Sequence, residues 1–395
     1  MKGNAMKAES ISTISAAIAR TSPPLPPPSG ARERTRGEGR KGSSARAEAG
    51  AESRFDIVRS EAIRFFPELV EHWGGNPREL LRLARIDPAI AAKRGSVLPY
   101  CAMIDLLEIA ATELQCSDFG LRLATLQGGT RAMGPIGVVM KNSKTVGQAL
   151  GYCKKQIHAY CLATCVRFVP DRTRHRLFVG LEILLDGLTD SSQMIEYALM
   201  LANLNVADIS GGAARARQIS FRHAPLRALS AYREAFKCEV RFGEDSDGLV
   251  LEERDLLCPV IDPDEEVYEI ATSFIADHYP RAIPPLHARV RNLISRYLGN
   301  DCANERIAAE LCMHPRSLQR RLRSEGKSFE TIKDEVRQQA ALRYLQCPDL
   351  PLTHVAAKLG YADQSVLSRS CWRWFATTPG ELRQRAMAVE PQREN

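Results

Sequence analysis

Four guanidinium groups and one carboxamide fall close together in the run HPRSLQRRLR at 314–323. A guanidinium fork pairs bidentately with guanine O6 and N7, or with a phosphate, and a glutamine amide bridges adenine N6 and N7. Wound as an α-helix with Leu318 at the origin, the run puts Leu322 at roughly 40°, and Arg316, Gln319, Arg320 and Arg323 between roughly 100° and 200°. One side of such a helix packs and the other offers hydrogen-bond donors. A solvated basic face on a core helix gives the same pattern, so one helix of this kind decides little.

The elements that must hold these groups occur twice, and the repeat changes the weighing. Residues 304–322 read NERIAAELCMHPRSLQRRL and residues 352–374 read LTHVAAKLGYADQSVLSRSCWRW. Ile307, Ala308, Ala309 and Leu311 answer to Val355, Ala356, Ala357 and Leu359 at an offset of 48. Leu318, Arg320 and Leu322 answer to Leu367, Arg369 and Cys371 at an offset of 49, so the second turn is one residue longer. Each copy is an apolar helix, a short turn and a basic or polar helix, the layout that sets one helix into a DNA groove. In the second copy Ser365, Ser368 and Arg369 share the polar face, with Trp372 projecting from it, while Leu367 and Cys371 face inward.

With these residues in view, the C-terminal part closely resembles the AraC/XylS family of bacterial transcription regulators. The segment HPRSLQRRLRSEGKSFETIKDEVRQQAALRYL (314–345) matches the family's first recognition helix, its Gly-x-Ser-Phe stop and its linking helix. The segment LTHVAAKLGYADQSVLSRSCWRWFATTPGELR (352–383) matches its second unit. The resemblance implies base contacts by Arg316, Ser317, Gln319 and Arg320 in the first unit, and by Gln364, Ser365 and Arg369 in the second. The chain departs from the family at Leu367 and Cys371, where phenylalanine is usual, and at Ala376, where glycine is. Smaller core residues loosen a helix by about a kilocalorie per mole or more each if nothing else fills the space. The first unit is therefore expected to supply most of the base readout and the second mainly positioning.

Charge is distributed to suit this reading. The 395 residues carry a net +7, divided as +5 over 1–54, −4 over 55–284 and +6 over 285–395. The C-terminal part is basic, as phosphate binding requires, and the acidic middle is not expected on the duplex. Eleven cysteines are scattered without a C-x-x-C pair, so neither a zinc knuckle nor a redox motif is indicated. No apolar run reaches the ~18–20 residues of a membrane span. The faint apolar stretch Ile11–Ala19 is broken by Ser and Thr and reads poorly as a signal peptide.

Residues 1–54 are rich in Pro, Gly, Ser, Ala and Arg and are expected to be disordered. Residues 55–281 read as one α+β domain. Helical periodicity marks 58–72, 99–114, 189–208 and 264–279. ATCVRFV (163–169) and RLFVGLEILL (176–185) form an expected hairpin across PDRTRH. Further strands are expected at 218–223, 238–243 and 248–253, the last two flanking the turn GEDSDG. The prolines of AIPPL (282–286) mark a boundary, and a flexible tail is expected at 387–395. LLRLARIDPAIA (80–91), DFGLRLA (118–124), GPIGVVMKNSKTVGQAL (134–150) and FRHAPLRALSAYREAFKCEVRFGEDSDGLVL (221–251) resemble the arabinose-binding-type N-terminal domain of one branch of the same family. That label does not imply a sugar ligand.

Other chemistry is thin. The glycines of GGTRAMGPIG (128–137) lack the phosphate-loop pattern and fit a loop, or a turn near a ligand cavity. His158 and Cys161 have no third metal ligand at fixed spacing, and His223 reads as structural. No catalytic residue, metal site or cofactor is indicated. The expected architecture is an α+β N-terminal sensor domain (55–281) followed by an all-α domain (282–386) of two helix-turn-helix units joined by a long helix. The expected function is sequence-specific regulation of transcription in the cytoplasm. Its partners would be double-stranded DNA, a small-molecule effector of unknown identity and a second copy of the chain, with RNA polymerase implied by the resemblance, which favours an activator. Two rival readings are a thiol-based transferase fused to a DNA-binding domain, and a ligand-independent regulator whose N-terminal domain only dimerises.

Overall fold

The structure is a computed structural model that describes residues 55–389 other than 94, 189, 280, 281, 348 and 349. Segment 1–54, expected to be disordered, lies outside the described residues, as do residues 390–395 of the expected tail. The chain forms two compact units. One holds the described residues up to Ile219 together with Gly248–Ile283; the other holds Ser220–Asp247 and those from Pro284 onward.

The first unit is α+β. Strand β1 (Val58–Arg59) pairs antiparallel with β2 (Val97–Leu98). Between them lie α1 (Phe66–His72), α2 (Pro77–Leu83) and α3 (Pro88–Ala92). Asn76 and Asp87 cap α2 and α3 by accepting the Arg78 and Ala89 N–H groups. The helix expected over 58–72 is interrupted. Val58–Arg59 is strand, Ser60–Ile63 a 3-10 turn, and Phe65 is left-handed at φ 64° before α1 begins. Pro67 explains the restart, since it has no N–H to continue a helix from Ile63 but fits a first turn.

Next come α4 (Tyr100–Glu113), α5 (Phe119–Gln127), α6 (Pro135–Lys141) and α7 (Val146–Gln156). The predicted hairpin follows as β3 (Thr164–Asp171) and β4 (Arg176–Ile183), registered from Thr164 opposite Ile183 to Asp171 opposite Arg176. Helix α8 (Ser192–Ser210) is the long buried element of this unit. It lies so close to α5 that a Cβ at Gly120 would fall 2.1 Å from the Gln193 carbonyl oxygen.

Strand order in the main sheet is β3-β4-β7-β5-β6, with β5 (Gln218–Ser220), β6 (Glu239–Arg241) and β7 (Gly248–Glu252). β5 therefore separates the two strands that flank GEDSDG. The backbone N–H of Arg217 donates to Val250 O on one side, and that of Phe221 to Arg241 O on the other. The turn is held by Asp247, whose carboxylate accepts the Arg222 backbone N–H at 2.7 Å. Helices α9 (Leu229–Phe236), in the second unit, and α10 (Glu253–Leu257) and α11 (Glu265–His278), in the first, complete the part up to Ile283.

In the second unit, residues 220–247 form an aromatic nest. The Phe221 and Phe242 rings stack at 5.2 Å, and Tyr232 meets Phe242 at 4.8 Å. His223 stands against both phenylalanines and is structural there. The rest is helical: α12 (Leu286–Tyr297), α13 (Asn304–Glu310), α14 (Pro315–Ser324), α15 (Phe329–Leu345), α16 (Leu352–Lys358), α17 (Gln364–Phe375) and α18 (Pro379–Val389). Helix α18 runs on through 387–389, into the expected tail. Two small cores form along α15. Ile332 and Val336 join Ile294, Ile307, Leu318 and Leu322, whereas Ala340, Ala341 and Leu345 join Val355, Leu359 and Leu367.

Glu108 on α4 accepts the Gln193 backbone N–H at the start of α8, at 2.8 Å. Burial, with Asp190 nearby, pushes its carboxyl from 4.5 up to about 8. A raised carboxyl pKa favours the folded state only while the proton stays bound, so this contribution is present below ~4.5 and lost as pH rises through about 8. Glu108→Gln keeps the accepting oxygen without the charge. Its melting temperature relative to the parent is expected to climb steadily from pH 5 to pH 9, and a constant difference would contradict the assignment.

Candidate nucleic-acid interface

The first helix pair is built from α13, a turn at 311–314 and α14. His314 caps α14 by accepting the Arg316 N–H at 3.2 Å, and Pro315 takes the first helical position. Leu318 and Leu322 are 0% exposed, which fixes the roll of the helix. Arg316, Gln319, Arg320 and Arg323 are exposed on the other side, as their spacing predicts, and Ser317 is half-buried. Among the described residues none of the three arginines is in an ion pair. No acid occurs in α14. The adjacent Glu325 is turned away to cap α12, accepting the Leu286 and His287 N–H groups at 3.1 and 2.9 Å. Burial opposes its charge, but the His287 and Leu286 contacts hold its carboxyl below the ordinary value. The helix stops at Gly326, left-handed at φ 69°, with the Lys327 N–H returning to Leu322 O.

The second pair is α16, a turn at 359–363 that is one residue longer, and α17. Asp363 caps α17, accepting the Ser365 and Val366 N–H groups at 2.8 and 3.1 Å. It also accepts the Ser365 hydroxyl at 2.5 Å, and the Ser368 hydroxyl donates to Gln364 O at 3.1 Å. Two of the four predicted readers thus spend their protons locally. Hydrogen bonds from Ser365 and Val366, then the nearby Arg369 charge, hold the Asp363 carboxyl below its ordinary value. Gln364 and Arg369 are exposed, and Trp372 is 56% exposed. Leu367 and Cys371 are 0% exposed, and Tyr361, Trp374 and Phe375 pack against their cluster.

Several residues that position these helices escaped the sequence reading. Arg337, on α15, donates through Nε to Leu359 O at 2.9 Å and through Nη2 to Gly360 O at 3.1 Å, with its guanidinium over the Tyr361 ring. It therefore clasps the turn of the second pair. Asp334 accepts from Arg373 at 2.5 Å and from the Trp374 indole at 2.9 Å, tying α17 to α15. Asp245 reaches Lys358 Nζ at 2.6 Å and the Tyr344 hydroxyl at 3.3 Å, so residues 220–247 grip the ends of α15 and α16. No local pattern announces such contacts, since the partners stand 22 to 113 residues apart.

The remaining motifs fall outside this surface. In GGTRAMGPIG the Thr130 hydroxyl donates to Asp208 at 2.6 Å, and Met133 borders a cavity of the first unit. Thus the loop does stand beside a cavity. His158 meets the Tyr279 carbonyl at 3.4 Å, and among the described residues no group of three His, Cys, Asp or Glu side chains could hold a metal ion. All eleven cysteines are free. Burial pushes Cys101, Cys153 and Cys161 up to about 12, and Cys238 and Cys371 up to about 11. A nucleophilic thiol needs the opposite shift.

Residues 74–260 match a family described as the arabinose-binding domain of AraC transcription regulator, N-terminal, and residues 307–385 match a helix-turn-helix domain. The HTH-type transcriptional regulator VirS of Mycobacterium tuberculosis is 35% identical over 328 residues, which are 83% of this chain and 96% of VirS. The ornithine utilization regulator of Pseudomonas aeruginosa is 25% identical over 326 residues, 80% of this chain and 93% of its own. The crystal structure of the transcriptional regulator CdpR from Pseudomonas aeruginosa aligns with a TM-score of 0.39 at 20% identity, covering 78% of this chain and 96% of that one.

Helices α14 and α17 end differently. Where α14 stops at a glycine, α17 stops at Ala376, left-handed at φ 52° with its N–H on Trp372 O. An alanine in that conformation carries roughly 1–2 kcal/mol of strain, partly offset by its smaller unfolded-state entropy. Ala376→Gly is expected to stabilise the chain by about 0.5–1 kcal/mol in denaturant titration. A loss of stability would show that the methyl group packs usefully there.

Proposed function

The chain belongs to the AraC family of DNA-binding transcription regulators, and we propose that its two recognition helices share the reading of one operator unequally. Helix α14 would supply most of the base readout through Arg316, Ser317, Gln319, Arg320 and Arg323. Helix α17 would mainly set position through Gln364, Ser365, Ser368 and Arg369. The observation that carries this reading is the exposed arginine face of α14, unpaired among the described residues, above two leucines that are 0% exposed. The locally spent hydroxyls of Ser365 and Ser368 support the lesser role of α17. Phosphate contacts would hold the register while groove-edge contacts choose the sequence.

The domain name carried by residues 74–260 and the cavity of the first unit support an effector-sensing role for that unit. A cavity of this kind favours sensing over an N-terminal unit that only dimerises. Thiols raised by burial weigh against the transferase reading. Action in the cytoplasm, as a homodimer that activates through RNA polymerase, extends the same proposal on the strength of family resemblance.

The test begins with an operator selected by the full chain from a random double-stranded library. In anisotropy titrations at fixed salt, Arg320→Ala is expected to cost about 1–3 kcal/mol, roughly 5- to 150-fold in Kd, with most of the loss in sequence preference. Arg369→Ala is expected to cost less and to weaken all sequences alike. Unchanged affinity in Arg320→Ala would remove the readout assignment, and equal losses of specificity would remove the asymmetry.

A further inference from the structure

The first unit encloses an open-mouthed cavity with about 860 Å³ of space unfilled by its own atoms, mouth included. The cavity follows one face of α8 from Met194 through Ala198 and Ala202 to Asn205, a length of ~16 Å at helical rise. Ala198 and Ala202 leave the room that larger residues would fill. Met103, Met133, Met140 and Met194 supply soft, adaptable walls. Among the described residues no Lys, Arg, His, Asp or Glu lines it.

Most of its polar groups are already spoken for. The Gln127 side-chain amide donates to Ala62 O and Arg64 O, both at 2.8 Å, so its oxygen must accept. The Tyr197 hydroxyl donates to that oxygen at 2.7 Å, which makes Tyr160 the donor in the 3.4 Å contact between the two tyrosine hydroxyls. Asn205 differs. It is 4% exposed, and no group among the described residues donates to its Oδ1. A buried acceptor left in this way is costly, and a ligand donor would relieve it.

We infer that this cavity takes a neutral, elongated, largely apolar small molecule whose hydroxyl or amide N–H hydrogen-bonds to Asn205 Oδ1. The inference rests on the effector-sensing reading above and gives that effector a chemical class. A carboxylate or phosphate would enter without a cation to meet it. A sugar would bring a hydroxyl on nearly every carbon into walls that offer few partners. The arabinose of the family's name therefore does not fit these walls.

The full chain can be titrated calorimetrically with decanamide, sodium decanoate and L-arabinose, with operator affinity read alongside. Decanamide is expected to bind, decanoate about tenfold or more weaker, and arabinose not at all. Asn205→Leu is expected to weaken decanamide about tenfold while raising the melting temperature of the unliganded chain. Ala202→Phe, which fills the space, is expected to abolish binding. No decanamide binding, equal binding of decanoate, or binding untouched by both substitutions would overturn the inference. Decanamide binding with no change in operator affinity would uphold the cavity chemistry and remove the effector reading. An operator response to another compound that survives Ala202→Phe would do the reverse.

Discussion

Helix α15 is the constraint on which the DNA-facing part depends, because one helix serves two cores. Its 17 residues span ~25 Å at helical rise. Phe329, Ile332 and Val336 lie in the core under α14, and Ala340, Ala341 and Leu345 in the core under α17. A slip of one residue in packing would turn a recognition helix by about 100° and bury its arginines. The roll of α14 and of α17 is thus set by apolar packing, and the polar face inherits its direction.

Electrostatics completes what packing begins. The acids of this unit are largely engaged within it: Glu335 with Arg291 and Lys327, Asp334 with Arg373, Glu310 with Tyr297, and Glu325 with the start of α12. Exposed pairs of this type add little stability. Their consequence here is that the carboxylates answer to structural cations and helix ends. The guanidinium groups on α14 are left to face solvent, where phosphate is the natural counter-charge. On α17 a carboxylate caps the helix itself, so the positive field there is weaker.

Periodicity made much of this legible in the sequence. Leu318 and Leu322 against Arg316, Arg320 and Arg323 is a local pattern, and the structure keeps it because burial of two leucines decides the roll. The hairpin of β3 and β4 was readable for the same reason, being strand, turn and strand in succession. What escaped reading is non-local. The insertion of β5 between β6 and β7 depends on contacts across the sheet. The clasp of Arg337 on Leu359 and Gly360, and the grip of Asp245 on Lys358, join residues with no shared periodicity. Cys371 marks the limit from the other side. Its small size reads as a defect, yet it is 0% exposed in a cluster that Tyr361, Trp374 and Phe375 help to cover.

The cavity shows the same division between an inherited frame and local chemistry. Its frame is helices over a sheet. The chemistry of its walls comes from side chains drawn largely from α4, α6, α7, α8 and the strands β3 and β4. Where the unit needs rigidity, buried polar groups are paired, as in the Tyr160–Tyr197–Gln127 relay and the Thr130–Asp208 contact. A folded chain selected only for stability would place leucine at 205 and gain the cost of an unmet acceptor, about 1–3 kcal/mol. Local rules of this kind are broken chiefly where function requires it. An asparagine at that position, deep among methionines and alanines, is a stability loss that the proposed ligand would offset.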